Sequence, residues 1–205
     1  MKSEIFPVTV FKSRVHGNEI LKSILVPLIL DSIDELEIPK DWTTNKVLTS
    51  FGQEKDFIEN NKDIMLNNYH QTIDEFFDKE YELHFTDFWY NVYQNGEWQE
   101  KHDHLGSQVN PAQFSFIHFL SYDKDVHQPP NFTDPLRCMR YLSIEMDSNN
   151  CGEVYVPRVE EGDLLMFPSY LQHFVSPDKV TDKPRITISF NAIVTQYGDE
   201  QRVYG

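Results

Sequence analysis

The chain has 205 residues and carries 18 Lys and Arg against 33 Asp and Glu, a formal charge of −15. That length fits one domain with a full-sized core, and the charge repels phosphate backbones and anionic membrane surfaces, so neither nucleic acid nor membrane is an expected partner. The only two cysteines, Cys138 and Cys151, stand outside any C-x-x-C pair, and with no signal-like start or membrane-length apolar run the expected location is the cytoplasm.

Along the chain, apolar residues recur at helical spacing from Glu19 to Leu36, where Pro27 is expected to kink or split the segment. A stronger stripe runs from Lys55 to Glu80, with Met65, Tyr69, Ile73 and Phe76 on one face of a polar helix. The texture then changes. Phe85–Tyr93, Ala112–Tyr122, Arg137–Glu145, Gly152–Val156, Asp163–Phe167, Gln172–Val175 and Arg185–Thr195 are rich in β-branched and aromatic residues and read as strands. Turn signals separate them at Asn95-Gly96, Gln128-Pro129-Pro130, Asn149-Asn150, Glu161-Gly162-Asp163 and Ser176-Pro177-Asp178.

This order predicts a single domain over 1–205. Residues 1–84 form a mainly helical support, and 85–197 form a β-sandwich or jelly roll with the helices packed on one sheet. Asp123–Pro135 is the one long irregular insertion among the strands, of the kind that often serves as a lid or binding loop.

Of the eight histidines, His16, His70, His84 and His127 have no partner at ligand spacing and are expected at the surface or rim. His102 and His104 are two apart, so on an extended strand both imidazoles face one way while Asp103 faces the other. Downstream, Gly162-Asp163 makes a turn, Leu164–Phe167 a buried strand, and Pro168 ends it before His173 opens the next strand. That hairpin can bring a third imidazole to the same place, leaving open metal positions as a catalytic centre requires. Beyond it, Arg185–Asn191 alternates strictly: Ile186, Ile188 and Phe190 on one face, Arg185, Thr187, Ser189 and Asn191 on the other. Polar groups lining an interior need a ligand or water to satisfy them, and an inward Arg suits a carboxylate; pairing with an acidic side chain of the chain itself is the alternative.

The sequence H-x-H, G-D-L-L-M-F-P-S-x-x-x-H and R-x-T resembles the Fe(II)/2-oxoglutarate oxygenases, with their H-x-D/E, distal His and R-x-S/T. The lead-in Phe88-Trp89-Tyr90-Asn91, then Asn95-Gly96 and Gln99, is similar to small bacterial and phage members related to prolyl 4-hydroxylases. The resemblance implies a double-stranded β-helix, Fe(II) with 2-oxoglutarate as co-substrate and dioxygen, and hydroxylation of a further substrate: a small molecule, an amino acid or a peptide. It makes His102 and His173 iron ligands and has Arg185 bind the distal carboxylate of 2-oxoglutarate with help from Thr187. Asn91, or Tyr93 on the same face, is a further contact to the co-substrate.

One position departs from the pattern, because His104 stands where the family has a carboxylate. Three neutral imidazoles leave the centre one charge more positive and shift metal choice toward zinc; a one-residue bulge would instead make Asp103 the ligand. A cupin-like three-histidine enzyme without 2-oxoglutarate, or a non-catalytic binding module, are the competing readings, separated from the first by whether Arg185 reaches a ligand beside the metal.

Overall fold

The structure is a computed structural model, and it describes residues 8–36, 47–53, 59–77, 81–94, 96–105, 112–136, 154–179 and 181–196. The expected strand Arg137–Glu145, the Asn149-Asn150 turn and both cysteines lie outside these residues. In chain order the elements are β1 (Phe11–Arg14), α1 (Asn18–Asp31), β2 (Leu48–Thr49), α2 (Lys62–Ile73), β3 (Tyr81–Tyr93), β4 (Gln99–His102) and β5 (Phe114–Ser121). They continue with β6 (Pro130–Thr133), β7 (Val154–Tyr155), β8 (Asp163–Pro168), β9 (His173–Val175) and β10 (Arg185–Gln196).

Two sheets form, a six-stranded one in the order β1-β8-β5-β10-β3-β2 and a four-stranded one in the order β4-β9-β6-β7. Every pairing among the described strands is antiparallel. From β3 onward the chain alternates between the two, with β6 and β7 adjacent in the smaller sheet, which is the winding of a jelly roll. The expected fold class, a double-stranded β-helix with helices packed on one sheet, is the one observed.

The period-two alternation of strands decides which residues meet the helices. On β10, Ile186, Ile188 and Phe190 join Phe116 and Leu120 of β5 in a core with Leu21, Leu25 and Ile29 of α1 and Met65, Tyr69 and Ile73 of α2. The opposite faces of β5 and β8 put Ile117, Phe119, Leu165 and Phe167 between the sheets, against Phe132 of β6. Each fully buried Leu, Ile or Phe contributes about 1.5–3 kcal/mol by leaving water.

Of the two outcomes expected at Pro27 the split does not occur: helix α1 runs through that residue, which is exposed, so the backbone carbonyl that loses its partner there can be hydrated. Two further expectations change. The N-terminal region is not only helical: β1 and β2 form the two edges of the larger sheet. Nor is Asp123–Pro135 a free loop, since β6 within it pairs with both β9 and β7. The Glu161-Gly162-Asp163 turn is present, with Gly162 at φ +87°; a Cβ there would come within 2.9 Å of Asn18 Nδ2.

Candidate functional site

The register of the sheets builds the site row by row. On the inward face of β10, Arg185 lies opposite Tyr93, Thr187 opposite Asn91, Ser189 opposite Trp89, and Asn191 opposite Asp87. Across the other edge of β10, Thr187 meets Phe119, Ser189 meets Ile117 and Asn191 meets Ser115. From the smaller sheet, His102 of β4 sits directly across from His173 of β9. The expected residues Asn91, His102, His104, His173, Arg185 and Thr187 all line one cavity between the sheets.

His102, His104 and His173 converge, with a ring nitrogen of each within 4.8 Å of the others. Ring centroids are 4.3 Å apart for His102 and His173, 5.0 Å for His104 and His173, and 5.3 Å for His102 and His104. His104 lies just past the end of β4 and is anchored by its backbone N–H, which donates to Ser169 O at 2.9 Å. The β4–β9 register does shift between Gln99 and His102, yet the shift precedes the histidines and does not bring Asp103 inward. Its Oδ1 accepts from the Leu105 N–H at 3.2 Å instead.

Each ring is fixed through Nδ1. His102 Nδ1–H donates to Glu100 O at 2.7 Å, and His173 Nδ1–H to Leu171 O at 3.0 Å. His104 Nδ1 is 2.8 Å from Ser115 Oγ and 3.0 Å from Asn191 Oδ1. A carbonyl only accepts, so Nδ1 of His102 and His173 must be protonated and Nε2 must carry the lone pair. Burial lowers all three pKa values. His104 is held at about 4, with His102 adding to the effect and the Asn191 hydrogen bond opposing it. His173 is pushed well below its ordinary value by burial and by the other two rings, and His102 is lowered by burial. All three are neutral at pH 7, the form that binds a metal.

Arg185 is 1 % exposed. Its Nη1 donates to Gln128 O and lies 3.4 Å from Asp178 Oδ1, and its Cζ stands 3.6 Å over the Tyr93 ring. Pairing with an acidic side chain, the alternative raised by the sequence, is therefore present through one nitrogen. Nε and Nη2 are buried without a hydrogen-bond partner among the described residues, as is Asn91 Oδ1. Those two nitrogens form one edge of the planar fork, the arrangement that takes a carboxylate in two parallel hydrogen bonds. Two orphaned buried donors are costly, so the cavity has the chemistry of a site for an anionic ligand beside a three-nitrogen metal centre.

Two histidines depart from expectation or were not singled out. His127 is buried, not at the rim; its Nδ1 accepts from the Asp123 N–H at 2.9 Å and its Nε2–H donates to Lys183 O at 3.0 Å. His118 is fully buried on the helix face of β5, between Tyr69 Oη at 3.0 Å and Asn18 Oδ1 at 2.9 Å. Its position among Phe116 and Leu120 in the alternation was the available signal. Ser115, Ser169 and Asp178 were likewise not singled out, because partners this distant in sequence carry no local signal.

Residues 87–191 match the protein family described as "Putative 2OG-Fe(II) oxygenase". No curated protein matches the sequence. Among solved structures, a Pseudomonas putida prolyl-4-hydroxylase is similar with a TM-score of 0.54 at 12 % identity, covering 93 % of this chain and 94 % of that one. HygX from Streptomyces hygroscopicus, solved with nickel, 2-oxoglutarate and hygromycin B bound, has a TM-score of 0.55 at 11 % identity, covering 90 % and 82 %. The viral collagen prolyl hydroxylase of Paramecium Bursaria Chlorella virus-1, solved with 2-oxoglutarate, has a TM-score of 0.50 at 11 % identity, covering 89 % and 94 %. No helix among the described residues is long and apolar enough to cross a membrane.

Proposed function

The chain belongs to the 2OG-Fe(II) oxygenase family, and we propose on that premise that it couples oxidative decarboxylation of 2-oxoglutarate to hydroxylation of a second substrate. The observation that carries this reading is the Nε and Nη2 edge of Arg185, without a partner among the described residues, in the cavity that also holds the three histidines. A three-histidine enzyme with no keto-acid co-substrate has no use for a buried, half-satisfied guanidinium there.

In this reading His102, His104 and His173 hold Fe(II) through Nε2, and Arg185 takes the distal carboxylate of 2-oxoglutarate. Thr187, next along β10, adds a hydroxyl to that carboxylate, while Asn91, opposite Thr187, turns its amide toward the co-substrate. Bound Fe(II) supplies the oxygen chemistry, in which one atom of dioxygen enters succinate, the other enters the substrate, and carbon dioxide leaves. The protein's part is orientation and dryness: Ile117, Phe119, Trp89 and Val175 line the same cavity and exclude water. The substrate belongs to the small-molecule, amino-acid or peptide classes.

The test is spectroscopic and then chemical. Anaerobic protein with Fe(II) should develop a weak visible charge-transfer band on adding 2-oxoglutarate, and admitting oxygen should slowly yield succinate without added substrate. Neither band nor succinate, from protein carrying stoichiometric iron, would overturn the proposal.

A further inference from the structure

We propose that Asp87, Asn191 and Ser115 form a hydrogen-bond relay that fixes the tautomer and orientation of His104, making Asn191 a positioning residue for the metal centre. The inference rests on the reading of His104 as a metal ligand.

His102 and His173 have their Nδ1 atoms facing backbone carbonyls, whose role is fixed. His104 has no carbonyl there. It faces a side-chain amide and a hydroxyl, groups that can donate or accept, so something else must decide. The strand register supplies it. Ser115, Asn191 and Asp87 stand in one row across β5, β10 and β3. Past Asn191 the β10–β3 ladder slips, Ala192 pairing with Phe85, which leaves Thr86 as the extra residue of a bulge at this row.

Asp87 only accepts, so Asn191 must turn its Nδ2 toward it, and that contact is 3.3 Å. Asn191 Oδ1 is thereby aimed the other way, where it accepts from Ser115 Oγ–H at 2.8 Å and lies 3.0 Å from His104 Nδ1. An unprotonated Nδ1 would set two lone pairs against each other, so Nδ1 carries the proton. Ser115 Oγ, spending its own hydrogen on Asn191, shares the Nδ1–H at 2.8 Å and accepts from Ser169 Oγ–H at 2.9 Å. Every donor in the row then has an acceptor, and the Nε2 lone pair of His104 is left facing His102 and His173. The relay also sets the charge of Asp87 behind the His104 imidazole. Outer partners of this kind raise ligand basicity, and losing one typically weakens metal binding about 10- to 100-fold.

The test titrates chelator-stripped full-length chain with Co(II), reading affinity by calorimetry and coordination by the visible d–d bands, with thermal melting as a check on folding. Asn191→Leu should weaken Co(II) binding about 10- to 100-fold and alter the bands. The exchanged pair Asn191→Asp with Asp87→Asn keeps an acceptor facing Nδ1 and a donor–acceptor contact across the row, and should bind close to the parent. Asp87→Ala, at an exposed position where folding is not at stake, should weaken binding in the same direction but less. In the metal-free protein, long-range nitrogen–proton NMR of the imidazoles should show His104 as the Nδ1–H tautomer, and the Nε2–H form would overturn the relay. Loss in His104→Ala with parental affinity in Asn191→Leu and Asp87→Ala would also overturn it while sparing the metal assignment. Equal loss in the exchanged pair and in Asn191→Leu would overturn the acceptor role. Parental affinity in His104→Ala would remove the metal reading itself.

Discussion

Replacing Arg185 by methionine should separate two functions that the structure puts on one side chain. Toward the cavity, Nε and Nη2 have no partner among the described residues, and two charge-assisted hydrogen bonds at about 1.5–3 kcal/mol each give a loss of about 3–6 kcal/mol in 2-oxoglutarate binding. That is roughly two to four orders of magnitude in Kd. Toward the protein, Nη1 faces Asp178 at 3.4 Å, and both side chains are only 2 % exposed. Removing the cation strands that carboxylate, which still accepts from the Gln128 N–H at 2.6 Å, and breaking such a pair from one side costs about 3–5 kcal/mol of stability.

The double variant Arg185→Met with Asp178→Asn tests the division. It should regain much of the stability, because no buried charge is left alone, and none of the co-substrate affinity. Anaerobic calorimetry with 2-oxoglutarate on metal-loaded protein gives the affinity, and urea unfolding of the same samples gives the stability. Parental 2-oxoglutarate affinity in the double variant would place the co-substrate elsewhere. Stability no better in the double variant than in Arg185→Met would show that Asp178 was not the stranded charge.

Each of His102→Ala, His104→Ala and His173→Ala should lower metal affinity by more than the roughly 10- to 100-fold expected for an outer hydrogen-bond partner, while Asp103→Ala should change it little; retained affinity in His104→Ala with loss in Asp103→Ala, measured by calorimetry, would reverse that assignment. His118 is held at about 3 by burial, below its ordinary 6.5, so the unfolded chain binds the extra proton. Its contribution to stability is full above pH 6.5 and is lost as pH falls through the window toward 3; urea unfolding of His118→Gln between pH 7 and 4 should show a shallower acid loss than the parent, and equal slopes would refute this. Gly162→Ala forces a Cβ onto a φ of +87° and to 2.9 Å from Asn18 Nδ2, which should cost about 1–3 kcal/mol and lower Tm; an unchanged Tm would mean the turn relaxes freely.

The sequence alone determined what depends on local period and on residue type. Alternation along Arg185–Asn191 separated the face that packs on α1 and α2 from the face that lines the cavity, because a strand repeats every two residues whatever it pairs with. Spacing in the same way placed His102 and His104 on one side, and the turn at Gly162-Asp163 was legible because few residues other than glycine tolerate a φ of +87°. Short elements without a pattern of their own were not legible: β1, β2 and β6 exist because a sheet edge or neighbouring strand was there to pair with. Only the tertiary structure decided which side chains meet across long sequence separations. Asp178 against Arg185, Ser115 and Asn191 against His104, and the Tyr69–His118–Asn18 contact under the helices depend on strand register and sheet packing. A shift of one residue in that register would turn the strand residues among them, Ser115, His118, Arg185 and Asn191, to the opposite face, and nothing in the local sequence around any one of them records where its partner lies.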